Sequence, residues 1–286
     1  MSATSFDPTR TRLSPGELRG RVIAITGPTA GIGQALALEC ARYGAEVLLL
    51  GRNVRKLESV HDAILALQAH DGSPIAAPAI APLDLEKAVA QDFDTIARAA
   101  QERWGRLDGL VLNAALLGQP MPIEEYDMPT WVRVMHVNVT ANVALTQTLL
   151  PLLRASNDAS IVCTSSAVGR KGRAYWGAYA VSKFALEGFM QVLADELEKS
   201  TVRVNSLNPG KARTQMRRQA YPSEISPRYR TRRHSPPPSS HCSDPRRVGQ
   251  RAAPSTLNPP RRSRRPHLRS GPDRPRCSAA LWILRR

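Results

Sequence analysis

A doubly wound α/β fold built on one parallel sheet is predicted for this chain, on three observations. Short apolar runs alternate with helical stretches through the first 208 residues. Alternation at that spacing makes βαβ units, whose parallel strands are covered by helices on both faces. The runs Val47-Leu-Leu-Leu50 and Gly109-Leu-Val-Leu112 are apolar throughout, as strands buried on both sides must be. A glycine-rich turn, Gly27-Pro-Thr-Ala-Gly31-Ile-Gly33, joins the first strand to the first helix. Right-handed crossovers then give a Rossmann-type sheet in a single domain, with ligands beyond the carboxyl ends of the strands.

The first strand, Arg21–Thr26, is short, apolar and β-branched. Glycines after it let the backbone approach a pyrophosphate, and helix Ile32–Tyr43 offers its free N–H groups to the anion. The spacing is G-x-x-x-G-x-G, and an ordinary glycine-rich βα turn is the alternative reading. Pro28 removes one possible donor from this turn. The second strand, Glu46–Leu50, runs into Gly51-Arg52-Asn53 and helix Val54–Gln68. An acid at that place binds a ribose 2′-hydroxyl, whereas a guanidinium fork accommodates a 2′-phosphate. Arg52 with no carboxylate beside it therefore favours NADP over NAD; the alternative is an arginine opening a solvated helix. The third strand, Ala76–Leu83, leads through Asp84 and Leu85 to helix Glu86–Trp104, where Asp84 is also a candidate helix cap.

The fourth strand, Leu107–Leu112, ends at Asn113-Ala114-Ala115. Helices Glu124–Val137 and Ala141–Leu153 flank Asn138, and the fifth strand, Ser160–Thr164, precedes Ser166. Helix Trp176–Lys199 carries Tyr179 and Lys183, and the sixth strand, Val202–Leu207, precedes Pro209-Gly210. Residues four apart lie one above the other on a helical face, so Lys183 can hold its charge near the Tyr179 oxygen. A free phenol titrates near about 10, and a neighbouring cation favours its ionised form. The pair is thus a candidate proton donor and acceptor.

Five elements fall in one register: Thr26-Gly27-x-x-x-Gly31-Ile32-Gly33, Asn113-Ala114, Asn138, Ser166 and Tyr179-x-x-x-Lys183. Together, over Arg21 to Thr214, they resemble the short-chain dehydrogenase/reductase superfamily. Residues 169–185 and Arg203-Val-Asn-Ser-Leu-Asn-Pro-Gly210 are similar to a bacterial YciK-like group of oxidoreductases of the 3-oxoacyl-carrier-protein reductase type. The resemblance implies hydride transfer between NADPH and a carbonyl, with a carrier-bound 3-oxoacyl thioester as the substrate to expect. It implies Tyr179 as general acid and base, and Lys183 as its electrostatic partner and a ligand of the nicotinamide ribose. Ser166 would orient the carbonyl, and Asn138 would hold a water that resupplies protons. Gly27, Gly31, Ile32, Gly33, Arg52, Asp84, Leu85, Asn113, Ala114, Pro209, Gly210 and Thr214 would meet the cofactor, with Asp84 at the adenine. The family's Asn-Ala-Gly reads Asn113-Ala114-Ala115 here, so a required positive φ at position 115 would be costly.

The formal net charge of +16 is unevenly spread: residues 223–286 hold sixteen arginines and three acids, a net of +13, leaving +3 for the rest. The enzyme-like part therefore carries no field that demands a polyanionic partner. Nucleic-acid binding through the tail is the competing reading from another class, but the tail interleaves few aromatics and matches no binding module. Cys40, Cys163, Cys242 and Cys277 show no metal spacing, and neither do His61, His70 and His136, so no metal is assigned. Scattered thiols suit a reducing cytoplasm. No signal-peptide core opens the chain, and no apolar run approaches the ~20 residues that span a bilayer, so a cytoplasmic protein without a membrane partner is expected. Asp108 and Glu187 are read as structural or solvated carboxylates.

Three segments are expected: a polar extension over 1–20, a reductase domain over 21–222, and an Arg/Pro/Ser-rich tail over 223–286. After Thr214 the periodic pattern collapses, and prolines and arginine pairs describe a disordered segment. The resemblance implies a substrate-covering helical segment and a final strand there, and neither is visible in the sequence. Zero lysines among so many arginines suggest a frame-shifted translation beginning near Pro222 to Ser226, which translating the alternate frame would test. A chain without that strand is expected to dissolve poorly and turn over weakly, and its family's homo-oligomer becomes doubtful.

Overall fold

The computed structural model describes residues 13–221. The expectations for the tail, its missing strand, its disorder and its reading frame lie outside these residues, as does the start of the N-terminal extension. Six parallel strands form one sheet in the order β3-β2-β1-β4-β5-β6. They are β1 (Val22–Thr26), β2 (Glu46–Gly51), β3 (Ala79–Pro82), β4 (Gly109–Leu112), β5 (Ala159–Thr164) and β6 (Val202–Leu207). The helices are α1 (Gly31–Arg42), α2 (Val54–Leu65), α3 (Ala90–Trp104), α4 (Met128–Met135), α5 (Ala141–Arg154), α6 (Gly177–Glu196) and α7 (Gln215–Ala220). The strand order reverses between β1 and β4, the switch point at which a doubly wound sheet opens a crevice.

Side chains alternate across the sheet, so each strand feeds two cores. Val22 and Ala24 of β1 and Leu48 and Leu50 of β2 join the layer packed with Phe93, Leu145, Leu149 and Leu186. Ile23 and Ile25 with Val47 and Leu49 join the other layer, against Leu36, Cys40, Leu57 and Ile64. This double coverage explains why the strand sequences lack a polar alternation; each fully buried leucine or isoleucine contributes about 1.5–3 kcal/mol. Leu13 and Leu18 are buried in the second layer, so the end of the polar extension belongs to the core.

Several boundaries differ from the sequence expectation for local reasons. Strand β3 pairs only from Ala79 onward, just after Pro78, which has no N–H to give a ladder. Helix α3 starts at Ala90 because the Asp84 carboxylate accepts the Glu86 N–H and folds residues 84–88 into a separate turn. Helix α4 starts at Met128, where the Asp127 side chain accepts from Thr130 N. A π-helical turn, His136–Thr140, joins α4 to α5 and carries Asn138; such turns recur at functional sites. Helix α7 corrects the expectation that pattern ends at Thr214: Thr214 caps it by accepting from Arg217 N, and good helix formers follow.

The amino-terminal end of the sheet is closed by an ionic network. Asp108 accepts from Val22 N at 2.8 Å, Ser156 Oγ at 2.6 Å and Arg106 Nε at 3.1 Å. Asp158 accepts from Arg21 and Arg203 beside it. Asp108 is therefore a structural carboxylate, as the sequence suggested. Among the described residues, β6 has a neighbouring strand on one side only.

Candidate active site

A cleft of about 570 Å³ opens over the carboxyl ends of the strands. The turn after β1 forms its floor. Gly27 and Gly31 have φ of +63° and +58°, in the region glycine tolerates best. Gly33 faces the scaffold instead: a Cβ there would collide with the Gly27 carbonyl oxygen and lie 2.5 Å from Asn113 Nδ2. Helix α1 begins at the cleft without a side-chain cap and without an acid in its first turn, so its positive dipole end there is left uncompensated. Pro28 is not among the cleft-lining residues.

Asn113 and Thr26 lock this floor. Asn113 Nδ2 donates to the carbonyl oxygens of Thr26 and Gly27, both at 3.2 Å, and its Oδ1 accepts from Thr164 Oγ1 at 3.3 Å. Thr26 Oγ1 accepts from Asn113 N and Ala114 N at 2.9 and 3.0 Å. The Asn113 side chain is thus spent on joining β1, β4 and β5, and sequence reasoning missed the part played by Thr26. Ala115 lines the cleft without backbone strain, since Tyr175 alone among the described non-glycine residues has a positive φ.

Ser166, Tyr179 and Lys183 all line the wall of the cleft. Ser166 follows β5 and accepts from Val168 N at 3.4 Å, capping the short 3-10 turn Ala167–Gly169. Tyr179 is 7% exposed and packs its ring 5.8 Å from that of Trp176. Lys183 is buried; its Nζ lies 5.7 Å from the centre of the Tyr179 ring and donates to the Thr164 carbonyl oxygen at 2.7 Å. Asn138 stands behind the wall and is fully buried. Its Oδ1 accepts from Leu116 N at 2.7 Å, and its Nδ2 donates to Leu116 O and Ser182 Oγ, each at 2.9 Å. That side chain braces α6 against the loop after β4, and no part of it lines the cleft.

Glu187, one turn beyond Lys183, accepts from Ser165, Ser206 and Arg170. Burial pushes this carboxyl up, but those hydrogen bonds and the Arg170 charge outweigh it and hold it below the usual glutamate range. The bonds fix the ends of β5 and β6 beside Ser166, a role no sequence spacing announces. Burial pushes the nearby Cys163 thiol up to about 11, opposed by the Lys183 charge and assisted by that of Glu187.

The remaining candidates line the same cleft: Ile32, Arg52, Asp84, Leu85, Ala114, Pro209, Gly210 and Thr214. The Asp84 carboxylate is engaged by Glu86 N at 3.1 Å. Thr214 hangs its methyl over Gly31, where a Cβ would meet it at 3.0 Å. Beyond Tyr179, Leu117, Trp176, Met216 and Ala220 form an apolar wall, and the Trp176 and Tyr221 rings pack at a tilt of 51° with centres 5.7 Å apart. Among the described residues no group of three or more His, Cys, Asp or Glu side chains could hold a metal ion, and no helix is long and apolar enough to cross a membrane.

Comparison with known proteins agrees with this fold. The family model described as short chain dehydrogenase matches residues 21–225. The uncharacterized oxidoreductase YciK of Escherichia coli K12 is 46% identical over 214 residues, covering 75% of this chain and 82% of that protein. A short chain dehydrogenase structure from Pseudomonas syringae is 51% identical with a TM-score of 0.71, over 76% of this chain and 85% of that one. One from Shigella flexneri, solved in complex with NADP, is 46% identical with a TM-score of 0.69, over 73% and 85% of the two chains. With the family's glycine turn, serine, tyrosine and lysine gathered at one cleft, the chain belongs to the short-chain dehydrogenase/reductase family of NAD(P)-dependent oxidoreductases.

Proposed function

We propose that this domain reduces a carbonyl with NADPH, using Tyr179 as the general acid and, in the reverse direction, the general base. The observation that carries the reading is the convergence of Tyr179, Lys183 and Ser166 on the cleft whose floor is the glycine turn. The residues present suit a dinucleotide phosphate. A turn whose Gly27 and Gly31 take positive φ at the cleft, an uncapped helix end, and Arg52 at the rim are the features an anionic pyrophosphate and a 2′-phosphate require. NADPH is the favoured cofactor, in keeping with the NADP complex of the Shigella flexneri relative.

When bound, the cofactor supplies the hydride. Tyr179 donates its phenolic proton to the substrate oxygen as negative charge gathers there. Lys183, held by Thr164 with its ammonium facing the tyrosine ring, offsets the charge left on the phenol oxygen. Ser166 presents its hydroxyl to the same oxygen, a single donor worth about 3–4 kcal/mol at most in such sites. Asn138 acts by position, keeping α6 and the loop after β4 in place. The apolar wall of Leu117, Trp176 and Met216 suits an acyl chain, which supports a 3-oxoacyl thioester as the substrate class.

The test is oxidation of NADPH with acetoacetyl thioesters, comparing the chain with Tyr179→Phe. The substitution should lower the rate by about 10²–10⁴-fold, the usual contribution of a positioned proton donor, while NADPH affinity stays within a small factor. Equal rates for the two proteins would refute the assignment of Tyr179.

A further inference from the structure

One carboxylate stands between two guanidinium groups at the rim of the cleft. Glu86 Oε1 lies 3.2 Å from Arg133 Nε, and its Oε2 lies 4.0 Å from an Arg52 terminal nitrogen. Arg52 and Glu86 line the cleft, whereas Arg133, on α4, does not. The place of Glu86 is set by its own backbone, because its N–H is bound by the Asp84 carboxylate at 3.1 Å. Attraction between charges falls with distance, so Glu86 is engaged more strongly by Arg133 than by Arg52.

A phosphate and a carboxylate compete for the same guanidinium fork, and they repel each other. A 2′-hydroxyl suffers no such repulsion, so a carboxylate at this rim penalises the phosphorylated ribose selectively. Resting on the reading of Arg52 as the 2′-phosphate ligand, we infer that Glu86 and Arg133 form a couple that sets the preference for NADPH over NADH. Glu86 is the internal competitor for Arg52. Arg133 is a positioning residue that draws Glu86 aside and leaves Arg52 available to the phosphate, without reaching the nucleotide itself. Sequence inspection singled out Arg52 alone; the competitor comes from the β3–α3 turn and its restraint from α4, which only the fold brings together.

The couple makes a prediction that neither residue makes alone. Dissociation constants for NADPH and NADH, read from nicotinamide fluorescence on the full chain, are compared for the natural protein, Glu86→Gln, Arg133→Gln and the double variant. Exposed ion pairs are modest, so Glu86→Gln should tighten NADPH about threefold and Arg133→Gln should weaken it about threefold. NADH should move less than about twofold in each, and the differences should shrink above about 0.5 M salt, where the screening length falls to a few ångströms. Because Arg133 acts only through Glu86, the double variant should match Glu86→Gln. A double variant weaker than Glu86→Gln would mean that Arg133 touches the phosphate, and would overturn the indirect role. An unchanged NADPH-to-NADH ratio in Glu86→Gln, with NADPH still bound tightly and released by Arg52→Ala, would overturn the inference and leave the function standing. Failure of the natural protein to bind either nucleotide would overturn both.

Discussion

Lys183 Nζ donates a 2.7 Å hydrogen bond to the carbonyl oxygen of Thr164, tying the middle of α6 to the carboxyl end of β5. The ammonium is almost wholly buried, and taking a charge out of water is costly. Fold stability alone would be served as well by an apolar side chain of similar length. Lys183→Met should therefore change the unfolding free energy by no more than about 1 kcal/mol, while NADPH oxidation falls by about a hundredfold or more. Denaturant melts alongside turnover decide it; a large loss of stability with a proportionate loss of rate would make Lys183 a structural residue.

Gly33→Ala is the sharpest probe of the floor. Its new methyl would meet the Gly27 carbonyl oxygen and the Asn113 amide at distances no contact tolerates, and one partner is backbone. The turn has to move, at a cost of about 1–3 kcal/mol in the fold. NADPH affinity should drop more than about tenfold, measured by fluorescence titration. Unaltered affinity would show that the turn is not the phosphate cradle.

Glu187 makes stability depend on acidity. Its folded pKa is depressed, so its contribution is present above the ordinary carboxylate range and disappears as pH falls through the folded value. Urea melts between about pH 5 and pH 3 should show a steeper loss of stability in the natural protein than in Glu187→Gln. Parallel curves would remove Glu187 from the account.

Cys163 should be inert in the folded state. With its thiol pushed up to about 11 and no exposed surface, little thiolate exists at neutral pH and none is accessible. Iodoacetamide at pH 8 should label Cys163 about a hundredfold more slowly in the native protein than after unfolding, as read by peptide mass spectrometry. Rapid native labelling would mean that β5 opens readily.

Much of the fold and the site was legible in the sequence because the signals are local. A glycine turn between strand and helix, and a tyrosine and lysine one helical turn apart, keep their meaning wherever the chain carries them. Partners distant in sequence were not legible. Nothing in the spacing of Thr26, Asn113 and Thr164 says that one amide will join three strands. Asn113 lines the cleft as expected of a cofactor contact, and its side chain also ties the scaffold together, which the sequence did not announce. The spacing around Asn138 likewise gave no sign that its amide would brace Leu116 and Ser182. Helix α7 carries a local signal too, since Thr214 is a standard cap followed by Gln, Met and Arg; the arginine- and proline-rich composition downstream masks it.

Strand β4 is bounded by two polar residues with opposite duties, Asp108 before it and Asn113 after it. Asp108, Arg106 and Ser156 clasp the rim remote from the cleft, whereas Asn113 shapes the rim that borders the cleft. Ruggedness and selectivity are thereby housed at opposite poles of one strand. An engineer could reinforce the clasp to gain heat tolerance without disturbing what the enzyme accepts, or recarve the cleft rim while the clasp keeps the far pole shut.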